Sequence, residues 1–155
     1  MALRFTPVTT LSISVFFGLA FIVIIILMAI QQPWIGLRLS LMDEKITVHS
    51  STGPGASIPS GTILQSIKTS ELEMQILPSD LTIEPDGTID DYGFYRDFLK
   101  RQGELSQIQA GKSVTFTSDT GENFTINPQP NRPLSDLPAN FWVQLVVGLF
   151  AWLIS

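Results

Sequence analysis

The sequence predicts an α+β fold: a small mixed domain with one main helix, carried between two apolar helices. Three observations predict it. No charged residue lies between Arg4 and Arg38, and none follows Asp136. The stretch between those ends alternates apolar and polar residues in short runs broken by Gly and Pro, which is the period of strands. From Tyr92 the period lengthens to steps of three and four, as a helix requires. Across 155 residues, 9 Lys and Arg face 14 Asp and Glu, yet only 15% of residues are charged and mean hydropathy is +0.28. An ordinary soluble domain carries about a quarter charged residues, and the deficit here sits at the two ends. No cluster of Lys or Arg exists to hold a nucleic acid, so that class of partner is excluded. Absence of Cys excludes disulfides, thiol catalysis and cysteine zinc sites.

The first end, VTTLSISVFFGLAFIVIIILMAI at 8–30, is 23 residues without a charge. As a helix it rises about 34 Å, enough to cross a hydrocarbon core of about 30 Å. Gln31, Gln32 and Pro33 end it, and Trp34 stands where an interfacial aromatic is expected. The alternative is a secretory signal peptide. The apolar run exceeds the usual length of about 7–15 residues, and no small-x-small pair closes it, so an uncleaved span is favoured. Arg4 and the free amino terminus prefer the cytoplasmic side. Residues 31–140, with eight cations and fourteen carboxylates, then face outward.

The second end, FWVQLVVGLFAWLIS at 141–155, is fifteen residues and rises only about 22 Å. It is either a short buried or interfacial helix or, as favoured here, the start of a second transmembrane helix that looks truncated at Ser155. Phe141 and Trp142 resemble an aromatic belt at its beginning. The chain therefore divides into a stub and first transmembrane helix at 1–32, an outward domain at 33–127, a Pro-rich tether at 128–140 and the second helix at 141–155.

Within the domain, 35–41 (IGLRLSL) alternates, with Ile35, Leu37, Leu39 and Leu41 on one face and Arg38 on the other. Asp43 and Glu44 turn the chain into 45–50 (KITVHS), which makes a hairpin. Residues 51–61 hold three Gly and two Pro and read as loop. Strands follow at 62–67 and 72–76, with a short one from Leu81 to Ile83. Tyr95, Phe98, Leu99 and Gln102 step at helical spacing, so 92–102 is a helix capped by Asp90 or Asp91 and interrupted at Gly103. Leu105 and Ile108 belong to a second short turn. A closing hairpin joins 112–117 to 122–127 through Ser118, Asp119, Thr120 and Gly121.

This order resembles a PDZ-like domain, a small and partly open β-barrel with one helix beside an exposed strand edge. WIGLRL at 34–39 is similar to the first strand of bacterial PDZ domains, and KITVHSSTGPGASIPSGTILQSI at 45–67 to their strand, variable loop, Gly turn and next strand. YRDFLKRQG at 95–103 would be the groove helix and KSVTFTSDTGENFTI at 112–126 the last hairpin. The sequence departs from the pattern where Gly61 is followed by Thr62 and Ile63 rather than by Asp, and where 69–91 is long. A mixed α/β sensor domain of bacterial receptors is the competing fold. The stretch RPLSDLPANFWVQLVVGLFAWLIS at 132–155 resembles the junction in bacterial membrane sensors such as sensor histidine kinases. That likeness implies a place in the bacterial inner membrane.

Enzymatic constellations are sparse. His49 is the one histidine, too few for a two-histidine metal site, and it reads as a half-exposed strand residue. Ser57 in GPGAS lacks a nucleophile-elbow setting. The glycines at 53–61 lack the G-K-[ST] ending of a phosphate loop and read as a flexible loop. Glu84, Asp86, Asp90 and Asp91 lack calcium-loop spacing and read as a solvated, capping group. No catalytic residue, metal site or cofactor is expected.

A peptide or ligand groove is the remaining chemistry. Backbone groups of the 35–41 edge would pair with an added strand, with Ile35, Leu37 and Leu39 beside it. Tyr95, Phe98, Leu99 and Gln102 would line the helix side, and Arg38 would meet a carboxylate. Each residue also has a plainer reading, as core for Phe98 and Leu99 and as solvated strand for Arg38. The favoured function is the sensing input module of a bacterial transmembrane receptor. A membrane-anchored PDZ-like peptide adaptor and a structural subunit of an envelope complex are the alternatives. The expected partners are the lipid bilayer, a peptide or envelope protein, and a second copy in a homodimer.

An arginine at the centre of a transmembrane helix costs about 2.5–3.5 kcal/mol on insertion scales. Val23→Arg is therefore expected to move a large share of the chain out of the membrane fraction. Unchanged fractionation would contradict the span.

Overall fold

The computed structural model describes residues 6–81 and 92–154. It is α+β, with three helices and two small antiparallel sheets that do not close into a barrel. The chain divides into two compact units, Pro33–Pro130 and a second formed by Met1–Gln32 with Asn131–Ser155.

In the second unit, α1 spans Pro7–Ile30. Thr6 caps it by accepting the Thr9 N–H at 3.3 Å, and Pro7 takes the first position, where no intrahelical donor is needed. None of its residues is buried, so most of its apolar surface has no protein over it. Among the described residues it is the one helix long and apolar enough to cross a membrane. Its last turn is closed by Gln31 N–H to Leu27 C=O at 3.0 Å, and the Arg132 N–H reaches the Ile30 carbonyl at 2.8 Å. Both bonds satisfy carbonyls that a helix end leaves open. Helix α3, Ala139–Ile154, has 16 residues, a rise of about 24 Å and thus less than a bilayer core. Gly18 allows the two helices to touch. A β-carbon there would lie 2.7 Å from the Trp152 ring.

In the domain, β1 (Leu37–Met42) and β2 (Lys45–Ser51) form the two-stranded sheet. Asp43 and Glu44 turn between them with φ of 49° and 62°. Two positive φ values in a two-residue loop are the I′ geometry that matches strand twist. The pairing skips one residue of β2, with Arg38 opposite Ser50 and Leu39 opposite Val48, so His49 is the bulged residue. Ile46, Thr47 and Val48 are all buried because β2 is used on both sides. Val48 N–H donates to Thr62 C=O at 2.9 Å and its carbonyl accepts from Gly61 at 2.8 Å.

The larger sheet runs in the order β4 (Glu73–Gln75), β3 (Leu64–Lys68), β5 (Val114–Ser118), β6 (Asn123–Ile126). Val114, Phe116 and Ser118 alternate inward along β5, the period-two pattern of a sheet with one covered face. Its cover is α2, Tyr92–Gln109. The core is Val48, Ile58, Leu64, Ile67, Met74, Leu105, Ile108, Val114, Phe116 and Ile126.

Four sequence expectations change here. Helix α2 runs unbroken through Gly103. A glycine inside a helix costs about 1 kcal/mol against Ala, whereas burying Leu105 and Ile108 returns about 1.5–3 kcal/mol each. Packing wins. The Gly-rich segment is also not a flexible loop. Gly53–Ser57 forms a 3₁₀ turn that seats the start of the domain. A β-carbon on Gly53, at φ 52°, would lie 2.3 Å from the Trp34 ring, and one on Gly36 would meet the Thr52 carbonyl at 1.9 Å. Leu81 closes a 3₁₀ turn, Pro78–Leu81, instead of opening a strand, while Ile83, the acidic group at 84–91 and the Asp90 or Asp91 cap lie outside the described residues. Part of the tether, Leu134–Asp136, is a 3₁₀ turn rather than extended chain.

A non-glycine residue at positive φ stores about 1–2 kcal/mol, and glycine releases it at a smaller entropic cost. Glu44→Gly is therefore expected to raise stability by about 0.5–1 kcal/mol in denaturant titrations of the chain in detergent. A lower midpoint would contradict the I′ turn.

Candidate functional site

Helix α2 meets the domain along the face Gln102, Leu105, Ser106 and Gln109, one helical stripe at steps of three and four. Opposite it stand Ile35, two residues ahead of β1, and Leu39 of β1. Between them lies a cleft of about 180 Å³. Ile67 and Phe116 from the central strands form its floor, and Ile76, Asp80 and Leu81 close one side.

Asp80 is held firmly in that wall. Its side chain is 4% exposed and accepts a bidentate pair from Arg101, Nε at 2.6 Å and Nη2 at 2.9 Å. A third bond comes from the Leu77 N–H at 2.7 Å. Arg101 also donates to the Gln75 carbonyl. The hydrogen bond to Asp80 raises the Arg101 pKa above its ordinary value, partial burial works against that, and the charges of Asp80 and Glu104 add to the rise. The part of the stability that belongs to the guanidinium is present below the ordinary arginine value and is lost as pH rises through the raised, folded one. The pair is thus a strut between α2 and the turn at 78–81.

Gln102 is different. Its Nε2 is buried and has no hydrogen-bond partner among the described residues, although the residue lines the cleft. Buried amide groups are normally satisfied.

Of the residues expected from sequence, Ile35, Leu39 and Gln102 come together at this cleft. Leu37 packs against the core beside it. Arg38 is exposed on β1. Tyr95, Phe98 and Leu99 do not line the cleft; Tyr95 and Phe98 are half-buried and Leu99 is 50% exposed. The helix approaches the sheet through its second half, at Leu105 and Ile108, which carries its first half beyond the cleft. Trp34 is buried inside the domain against Gly53, unlike an aromatic presented at a membrane interface. Phe141 and Trp142 stack edge to face at 5.3 Å at the start of α3, with Trp142 exposed.

No known protein family, curated protein or solved structure matches the chain. Its function rests on its own geometry.

Sequence reasoning missed Asp80, Arg101, Ser106, Gln109, Ile67, Ile76 and Phe116. Ser106 and Gln109 follow from Gln102 at four and seven residues, so they were legible once the helix was continued through Gly103. The Asp80–Arg101 pair joins residues 21 apart and carried no local signal. Among the described residues no group of three His, Asp or Glu could hold a metal ion.

Removing one partner of a buried ion pair leaves the other uncompensated at about 3–5 kcal/mol. Arg101 keeps 24% of its side-chain exposure, so Asp80→Ala is expected to cost about 3 kcal/mol, the low end of that range, in denaturant titrations. Loss of less than about 1 kcal/mol, the worth of a surface pair, would contradict the strut.

Proposed function

We infer that this chain is the extracytoplasmic sensing input module of a bacterial transmembrane receptor, anchored in the inner membrane by α1, with residues 31–140 outside. One observation carries the reading. Trp34 and Gln129 exchange both backbone hydrogen bonds, Trp34 N–H to Gln129 C=O at 2.8 Å and the reverse at 2.9 Å. The segments that lead to α1 and α3 therefore leave the domain side by side. A change inside the domain that reaches this bridge acts on both segments together, which is what a receptor needs in order to move two helices.

The PDZ-like likeness is supported by an open hairpin and a helix on two sides of one cleft. It also favours a second reading, a membrane-anchored peptide-binding adaptor. Among the described residues β1 pairs with β2 alone, so its other edge has no strand partner and could accept one.

Asn123, Phe124 and Thr125 form an N-x-T acceptor for N-glycosylation, and Asn123 is exposed. Translation into endoplasmic-reticulum microsomes is therefore expected to give one glycosylated band, lost in Asn123→Gln. An unmodified chain that still inserts would put the domain on the cytoplasmic side and end the sensing proposal. With the chain fused ahead of the cytoplasmic half of a two-component receptor, Trp34→Ala is expected to change reporter output several-fold. Unaltered output from an inserted fusion would favour the adaptor.

A further inference from the structure

We propose that the cleft between β1 and α2 binds a small neutral molecule with an apolar body and one hydroxyl or amide group, received by the side-chain amide of Gln102. This rests on the reading of the domain as a sensor and names the class of its ligand.

Size sets the first limit. A dry apolar cavity of about 150 Å³ holds one benzene, so about 180 Å³ takes a single ring or branched chain with one small substituent. A peptide strand is far larger. The walls set the second. Ile35, Leu39, Ile67, Leu105 and Phe116 present aliphatic and aromatic surface, which suits the body of such a molecule.

The polar end is selected by what the cleft offers and what it lacks. Gln102 lines the cleft and its Nε2 is buried without a partner among the described residues, so a rotation of the amide toward the cleft lets a ligand atom replace a missing hydrogen bond. A side-chain amide carries a donor on one side and an acceptor on the other, and a hydroxyl or amide ligand can answer either. A carboxylate cannot be held in the same way. No Lys or Arg lines the cleft among the described residues, and the anion it does contain, Asp80, would stand against a second. Arg101 is already engaged by both oxygens of Asp80. The unpaired amide also disfavours a purely apolar occupant, which would leave Nε2 unsatisfied.

The test is NMR on the full chain in detergent micelles, with isotope labels on Ile methyls and Gln side-chain amides. The probes are benzyl alcohol, toluene and benzoate. Benzyl alcohol is expected to give saturable intermolecular NOEs to the Ile67 and Ile76 methyls and to shift the Gln102 amide resonance. Toluene should bind about tenfold more weakly, the ratio that one hydrogen bond supports, and benzoate should give no NOE. In Gln102→Leu, benzyl alcohol should fall to the affinity of toluene. Absence of NOEs from benzyl alcohol, binding of benzoate as tight as that of the alcohol, or an unchanged alcohol preference in Gln102→Leu would each overturn the proposal. The three-probe comparison on the unaltered chain stands even if the variant misfolds. These outcomes are separate from topology and reporter output, so the ligand class can fail while the sensing reading survives.

Discussion

The domain depends on the burial of Trp34. The residue is 8% exposed and its ring lies against Gly53, while its backbone exchanges two hydrogen bonds with Gln129. The magnitudes show which part dominates. Two exposed-end backbone bonds contribute about 0.5–1.5 kcal/mol each, and truncating a buried Trp costs about 3–5 kcal/mol. The ring is the anchor, and the bridge follows from it. The positive φ of Gly53 and the 3₁₀ turn it opens admit the indole, while Gly36 lets the neighbouring chain approach the Thr52 carbonyl. Glycines that read in the sequence as flexibility are here the absence of side chains that would collide.

The second determinant is the length of α2. Had the helix stopped at Gln102, the domain would lose Leu105 and Ile108 from its core, and with them the cover of Phe116. Carrying the helix through Gly103 places Gln102, Ser106 and Gln109 on the same stripe as Leu105. Leu105 gives the stripe apolar surface toward both the core and the cleft, and Gln102, Ser106 and Gln109 add polar groups along the cleft. The Asp80–Arg101 strut then holds α2 against the turn at 78–81, so the walls of the cleft are tied by a salt bridge rather than by apolar contact alone.

Much of the fold was legible in the sequence, because it is written in local periods. The first hairpin, the closing hairpin, the apolar helix α1 and the existence of α2 follow from alternation, turn residues and three-four spacing. What escaped depended on contacts far apart in the chain. Gly103 looks like a helix stop because propensity is local, while Leu105 and Ile108 act through the sheet. Trp34 looks interfacial because it follows an apolar run, and only Gly53, nineteen positions on, shows where it goes. Of the groove, Ile35, Leu39 and Gln102 were legible as a strand face and a helix step. Tyr95, Phe98 and Leu99 share the helical period but lie on the part of α2 ahead of the cleft, whose helix lining begins at Gln102.

The cleft and the bridge share one short segment. Ile35 lines the cleft and is joined by a single peptide bond to Trp34, whose backbone makes the bridge. Displacing Ile35 by a fraction of an ångström therefore reaches Trp34 without any intervening side chain. The reverse path is just as short, so tension on the segments that leave the domain would change the cleft. An empty apolar cavity of this size costs at most about 4 kcal/mol by the usual volume scaling, and less here because the cleft is not sealed. A domain of about one hundred residues has a total stability of only about 5–15 kcal/mol. Filling the cleft thus recovers a share of stability large enough to shift the balance of packing at the Ile35–Trp34 segment. On the proposed reading, that shift in balance is the signal, and the two hydrogen bonds at Gln129 are what convert it from a local repacking into a common movement of both outgoing chains.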